Sequence, residues 1–83
     1  MTVRIIHRLT GYDRATELLT VEHEVPIQHF PRVRKIARVG ADDPDAIGSY
    51  PLDRVQAQLI ARVLGTKVDP GSCDFFLEPF AEP

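Results

Sequence analysis

Residues 48–65, GSYPLDRVQAQLIARVLG, write out a helix together with its own start and stop. Asp53 is placed as N-cap, and Gln56 three residues on completes a capping box of the D-x-x-Q kind. Leu52 before the cap and Ala57 after it sit at the two positions of a hydrophobic staple. Leu52, Val55, Leu59, Ile60, Val63 and Leu64 recur at helical spacing, which predicts them as the core-facing stripe. Arg54, Gln58 and Arg62 form the outward one, and Gly65 supplies the left-handed residue that ends the run.

A helix with one apolar face needs a surface to lie on, and the first third of the chain supplies it. Val3, Ile5, His7 and Leu9 alternate with Arg4, Ile6, Arg8 and Thr10, a period of two rich in β-branched residues. Leu19, Val21, His23 and Val25 alternate in the same way with Leu18, Thr20, Glu22 and Glu24. Turn chemistry over Gly11–Ala15 joins them into a hairpin. To place both apolar sets on one face, paired residue numbers must sum to an even value. The short-loop rule favours a sum of 26 over 28. On the outer face Arg4 and Arg8 are expected to pair with Glu22 and Glu24 across the strands.

Pro26 ends the second strand, and Pro31 suits the first turn of a short helix over 31–39 with Val33, Ile36 and Ala37 inward. Gly40 stops it, and ADDPDAIGSY at 41–50 reads as an acidic loop. After Gly65, Asp69-Pro70-Gly71 makes a turn, and CDFFLE at 73–78 is a last strand, with a short helix as its competitor. Residues 1–83 therefore form a single small α+β domain of order β-β-α-α-β. The expected architecture is a three-stranded antiparallel sheet with two helices on one face, the last strand beside the first, and a frayed tail at 79–83.

Composition bounds the function more than it defines it. Eighty-three residues bury about 60–65% of the surface an unfolded chain exposes. Hydrophobic content of 43% and charged content of 27% are those of an ordinary globular domain, and a formal charge of −2 points to no polyanion or membrane by itself. Cys73 is the single cysteine, so neither an intrachain disulfide nor a zinc site of several cysteines is expected. The first residues, MTVRIIHRLT, interleave charge with apolar residues where a signal peptide would separate them, and the reading is cytoplasmic.

Four constellations invite chemistry. Arg32, Arg34, Lys35 and Arg38 form a basic stripe on the short helix, with Arg34 and Arg38 at i, i+4. Such forks bind phosphates or a partner's carboxylates, but Asp42, Asp43 and Asp45 follow at once and offset them within the molecule. The acidic run lacks the ligand spacing of an EF-hand. His7 and His23 fall on the inner face, diagonal neighbours at a sum of 28 and two rows apart at 26, with no third ligand beside them. Cys73 stands next to Asp74 and Phe75, surroundings that suit a packed thiol and not a nucleophile. No catalytic residue, cofactor site or metal site is assigned, and the chain is not expected to be an enzyme.

Taken together, DDPD at 42–45, SYPL at 49–52, the Gln56 helix ending at Gly65, and DP at 69–70 followed by DFFLE at 74–78 resemble a known pattern. It is that of a small uncharacterised bacterial domain, of the kind found standing alone or proposed among toxin-immunity candidates. The resemblance implies a bacterial interaction domain and supplies no activity or catalytic residue. The expectation is a non-enzymatic protein-binding domain, monomer or homodimer, using Arg34, Arg38, Asp42, Asp43 and Asp45 as its surface. Nucleic-acid binding through the basic helix 31–39 is the alternative.

Overall fold

The computed structural model describes residues 4–82. Val3, expected on the inner face, and Pro83 lie outside the described residues. In chain order the elements are β1 (Arg4–Asp13), β2 (Leu19–Val25), a 3₁₀ turn (Ile27–His29), α1 (Phe30–Ile36), β3 (Tyr50–Leu52), α2 (Arg54–Val63) and β4 (Cys73–Glu82). The sheet is antiparallel and has four strands in the order β2-β1-β4-β3, not three. The added strand is Tyr50-Pro51-Leu52, opposite Leu77-Phe76-Phe75. Proline lacks a ladder donor, so this segment reads as loop locally. At the edge of a sheet the missing N–H is tolerated.

CDFFLE is a strand and not a helix, and it does lie beside β1. It also runs further than expected. The tail assigned to fraying is paired as far as Glu82, with Pro79 opposite His7, Phe80 opposite Ile6 and Glu82 opposite Arg4. Pro79 is accommodated because β3 has already ended there, leaving β4 with a neighbour on one side only.

The hairpin keeps the expected parity but not the expected register. His7 faces Val25 and Leu9 faces His23, so paired numbers sum to 32 instead of 26 or 28. The reason lies at Asp13. Its Oδ1 accepts the N–H groups of Ala15 (2.8 Å) and Thr16 (3.0 Å), starting the turn three residues beyond Gly11. Glu17 at φ 61° completes it, and Asp13 N–H reaches the Leu18 carbonyl at 2.9 Å. β1 therefore runs straight through Gly11. A register shift between Gly11 and Tyr12 then puts Leu19 opposite Tyr12, leaving Leu19 exposed where alternation placed it inside. Of the expected outer-face pairs, Arg8–Glu22 forms at 3.4 Å, while Arg4 bonds to Glu82 of β4.

Both helices cover one face of the sheet. Leu9, Val25, Cys73, Phe75 and Leu77 meet Val33 and Ala37 of the α1 segment and Ala57, Ile60 and Ala61 of α2 in one core. The capping box forms as expected: Asp53 Oδ1 accepts Gln56 N–H (2.8 Å) and Gln56 Oε1 accepts Asp53 N–H (2.9 Å). Gln56 also donates from Nε2 to the Ile36 carbonyl at 2.9 Å, which ties the start of α2 to the end of α1. The buried stripe is rotated from the expected one, however. Val55 and Leu59 are exposed, whereas Ala57 and Ala61 are buried. Two alanines one turn apart let the helix approach the sheet more closely than a leucine–valine stripe allows.

Gly11 shows how tightly the cross-strand neighbours pack on the inner face of the sheet, where it lies between Val21 and Phe75. A Cβ there would stand 2.7 Å from Phe75 Cε1 and 3.0 Å from Val21 Cβ. Overpacking of this kind costs about 1–3 kcal/mol, and alanine recovers only about 0.5–1 from backbone entropy. Gly11→Ala should therefore destabilise by roughly 1–2 kcal/mol in thermal or urea unfolding; a neutral or stabilising result would mean that Phe75 yields freely.

Candidate functional site

The short helix ends earlier than its sequence suggests. Arg38 adopts φ 59°, its N–H bonds to the Lys35 carbonyl, and Val39 N–H reaches back to the Arg34 carbonyl. The left-handed residue that closes the helix is thus Arg38, not Gly40, and Arg38 leaves the i, i+4 stripe it was expected to share with Arg34. Arg32 and Lys35 stay exposed on α1. Arg34 turns onto the following loop, donating from Nη1 to the Pro44 carbonyl at 3.0 Å, and its guanidinium carbon stands 6.0 Å from the Phe30 ring centroid.

The acidic run divides by role. Asp43 is half-buried and organises residues 40–50. Its Oδ1 accepts Ile47 N–H (2.9 Å), and its Oδ2 accepts Gly48 N–H (3.0 Å) and the Tyr50 hydroxyl (2.5 Å). The Tyr50 bond first, then the two backbone donors and the charge of Arg34, hold the Asp43 carboxyl below the usual carboxylate range. The same bond pushes the Tyr50 phenol up to about 12, with desolvation and the charges of Asp43 and Asp42 acting in the same direction. Asp42 and Asp45 are both exposed.

From below, the loop is held by His7. Its Nε2 lies 3.2 Å from the Asp45 carbonyl and 3.1 Å from that of Ala46, two acceptors that require a proton on this nitrogen. The ring stacks on Phe30 at 4.3 Å between centroids. Ala46 is buried at φ 51°, and Ile47 beside it is left 66% exposed. Arg34, Asp42, Asp43 and Asp45 of the expected surface thus gather on one ordered loop and its helix, with Arg38 outside the helix.

The remaining candidates are engaged in packing. His23 lies opposite Leu9, diagonal to His7, but His7 already holds the two loop carbonyls. Cys73 is buried with Sγ 3.4 Å from Thr20 Oγ1. Among the described residues no group of three or more His, Cys, Asp or Glu is placed to hold a metal ion. No described helix is long and apolar enough to cross a membrane.

Sequence reasoning placed His7 on the inner face as a hydrogen-bonded histidine but not beneath this loop, and it missed Tyr50 and Ile47. His7 carried a usable signal, since a polar residue in the apolar set of a strand must find a hydrogen-bond partner. Tyr50 carried none, because its pairing with Asp43 depends on the path of the loop between them. Comparison with known sequences finds one family: the profile of a domain of unknown function, DUF7683, matches residues 6–78. No curated protein and no solved structure gives a significant match.

Proposed function

We propose, for a chain that belongs to the DUF7683 family of domains of unknown function, that it is a non-enzymatic domain that binds another protein through residues 40–49 and the adjoining end of α1. One observation carries the reading. Asp43 bonds three donors of its own chain, while its neighbours Asp42, Asp45 and Ile47 face solvent. A loop ordered in advance loses less entropy on association than a mobile one. An exposed isoleucine on the same loop as two exposed carboxylates has the make-up of an interface anchor with a polar rim. The specific form we favour is immunity-like: the acidic loop occludes a basic active site on a toxin.

A photoreactive residue at position 47 tests this in the producing cell. One protein should crosslink at 47 and not at the exposed position 55 of α2, and Asp42→Lys with Asp45→Lys should abolish it. Equal crosslinking at 47 and 55, or none at 47, would overturn the reading. The same preparation tests the nucleic-acid alternative. DNA or RNA binding that weakens steeply with salt and is lost in Arg32→Ala/Lys35→Ala would favour it.

A further inference from the structure

The sheet face turned away from the helices carries Arg4 and Arg8 of β1, Glu22 and Glu24 of β2, and Asp74, Phe76, Glu78, Phe80 and Glu82 of β4. Among the described residues its arginines are already matched: Arg4 with Glu82 at 3.0 Å and Arg8 with Glu22 at 3.4 Å. Arg14, at the hairpin tip, joins Asp74 at 3.0 Å and also donates to the carbonyls of Pro70 and Gly71. Glu78 is different. It is half-buried, and its partners are hydroxyls: Thr10 (2.5 Å) and Tyr12 (2.7 Å) on Oε1, Ser49 (3.4 Å) on Oε2. These orient the carboxylate without neutralising it. Arg8, which faces Glu78 across the strands, is laid over the Phe80 ring at 4.5 Å and paired to Glu22.

Glu78 opens onto a concavity of about 380 Å³ walled by Tyr12 and Phe76, whose rings meet edge to face at 5.7 Å. Among the described residues four carboxylates line it (Asp13, Glu17, Asp74 and Glu78) against the one cation of Arg14. We propose that this groove receives a cationic side chain, guanidinium or ammonium, from a partner polypeptide, with Glu78 as counter-charge and the Tyr12–Phe76 pair as aromatic wall. The same face contains the arrangement in intramolecular form: Arg8 lies over Phe80 beside Glu22. The groove repeats ring and carboxylate, with the cation to come from outside. The Tyr12 phenol, raised above its ordinary value chiefly by its bond to Glu78, stays a neutral donor across the physiological range. Of the groove's lining only Ser49 belongs to the 40–49 loop, so this inference goes beyond the loop reading and stands or falls separately.

Amide chemical-shift titration of the intact chain with N-acetyl-arginine methylamide and N-acetyl-lysine methylamide, against neutral N-acetyl-norleucine methylamide, tests it. The cationic probes should perturb Tyr12, Ser49, Phe76 and Glu78 and bind about tenfold more tightly than the neutral one. Glu78→Gln keeps the hydroxyl acceptor and should remove that preference, whereas Asp42→Lys/Asp45→Lys should leave it intact. Equal binding of charged and neutral probes, or perturbation centred elsewhere, overturns the proposal. That comparison on the unaltered chain decides the matter even if Glu78→Gln fails to fold.

Discussion

Leu9→Ala should lower the unfolding free energy by about 3 kcal/mol, the middle of the range for deleting a buried leucine side chain. Leu9 is fully buried on a central strand, between His23 of β2 and Leu77 of β4, at the middle of the core. For a domain of this size such a loss lowers the melting temperature by about 12–24 °C. In urea it appears as a lower midpoint with an unchanged slope. Leu59→Ala supplies the contrast. The helical periodicity puts Leu59 in the core, but 41% of its surface is exposed, and its truncation should cost under about 0.5 kcal/mol. If the two substitutions cost the same, the orientation of α2 described above is wrong.

The second large effect lies in the loop. In a Tyr12→Phe background the remaining phenol, Tyr50, should resist ionisation at pH 10 and titrate near 12, followed by near-ultraviolet tyrosinate absorbance. Asp43→Asn keeps an acceptor but removes the charge, and the midpoint should fall to between about 10 and 11. The linkage has a definite sign. Tyr50 binds its proton more tightly in the folded chain, so its contribution to stability is complete below the ordinary value of 10 and disappears as pH rises through 12. Asp43 runs the other way. Its folded value is lowered, so its contribution is present above the ordinary carboxylate value of 3.8 and is lost as pH falls through the folded one. A Tyr50 midpoint at 10, or one that Asp43→Asn leaves unmoved, would refute the bond on which the ordered loop rests.

Part of the candidate site was legible in advance. Asp42, Asp43 and Asp45 were marked by clustering, and Arg34 by its i, i+4 spacing from Arg38, which the structure takes off the helix. Their division of labour was not legible, because identical side chains in one run differ only in what they reach. Asp43 lies next to the N–H groups of Ile47 and Gly48 and the hydroxyl of Tyr50, while Asp42 and Asp45 face water. Glu78 was still harder to single out. Its significance comes from Thr10 and Tyr12 on β1 and from Ser49, positions joined only by sheet pairing and the return of the loop.

What the sequence determined by itself are features whose energetics close within a few residues. The Asp53–Gln56 box starts α2, Gly65 at φ 73° follows its end, and strict alternation fixes the face of β1 from His7 to Leu9. Each rests on neighbours fewer than five positions away. The tertiary structure alone decided the hairpin register, the strand character of Tyr50–Leu52, the ordered tail to Glu82 and the face that α2 buries. Each of these depends on a partner distant in sequence. Pro51 is tolerated because β3 is the edge strand, paired to β4 on one side only, and Ala57 and Ala61 are buried because close approach to the sheet favours small side chains over the larger Val55 and Leu59.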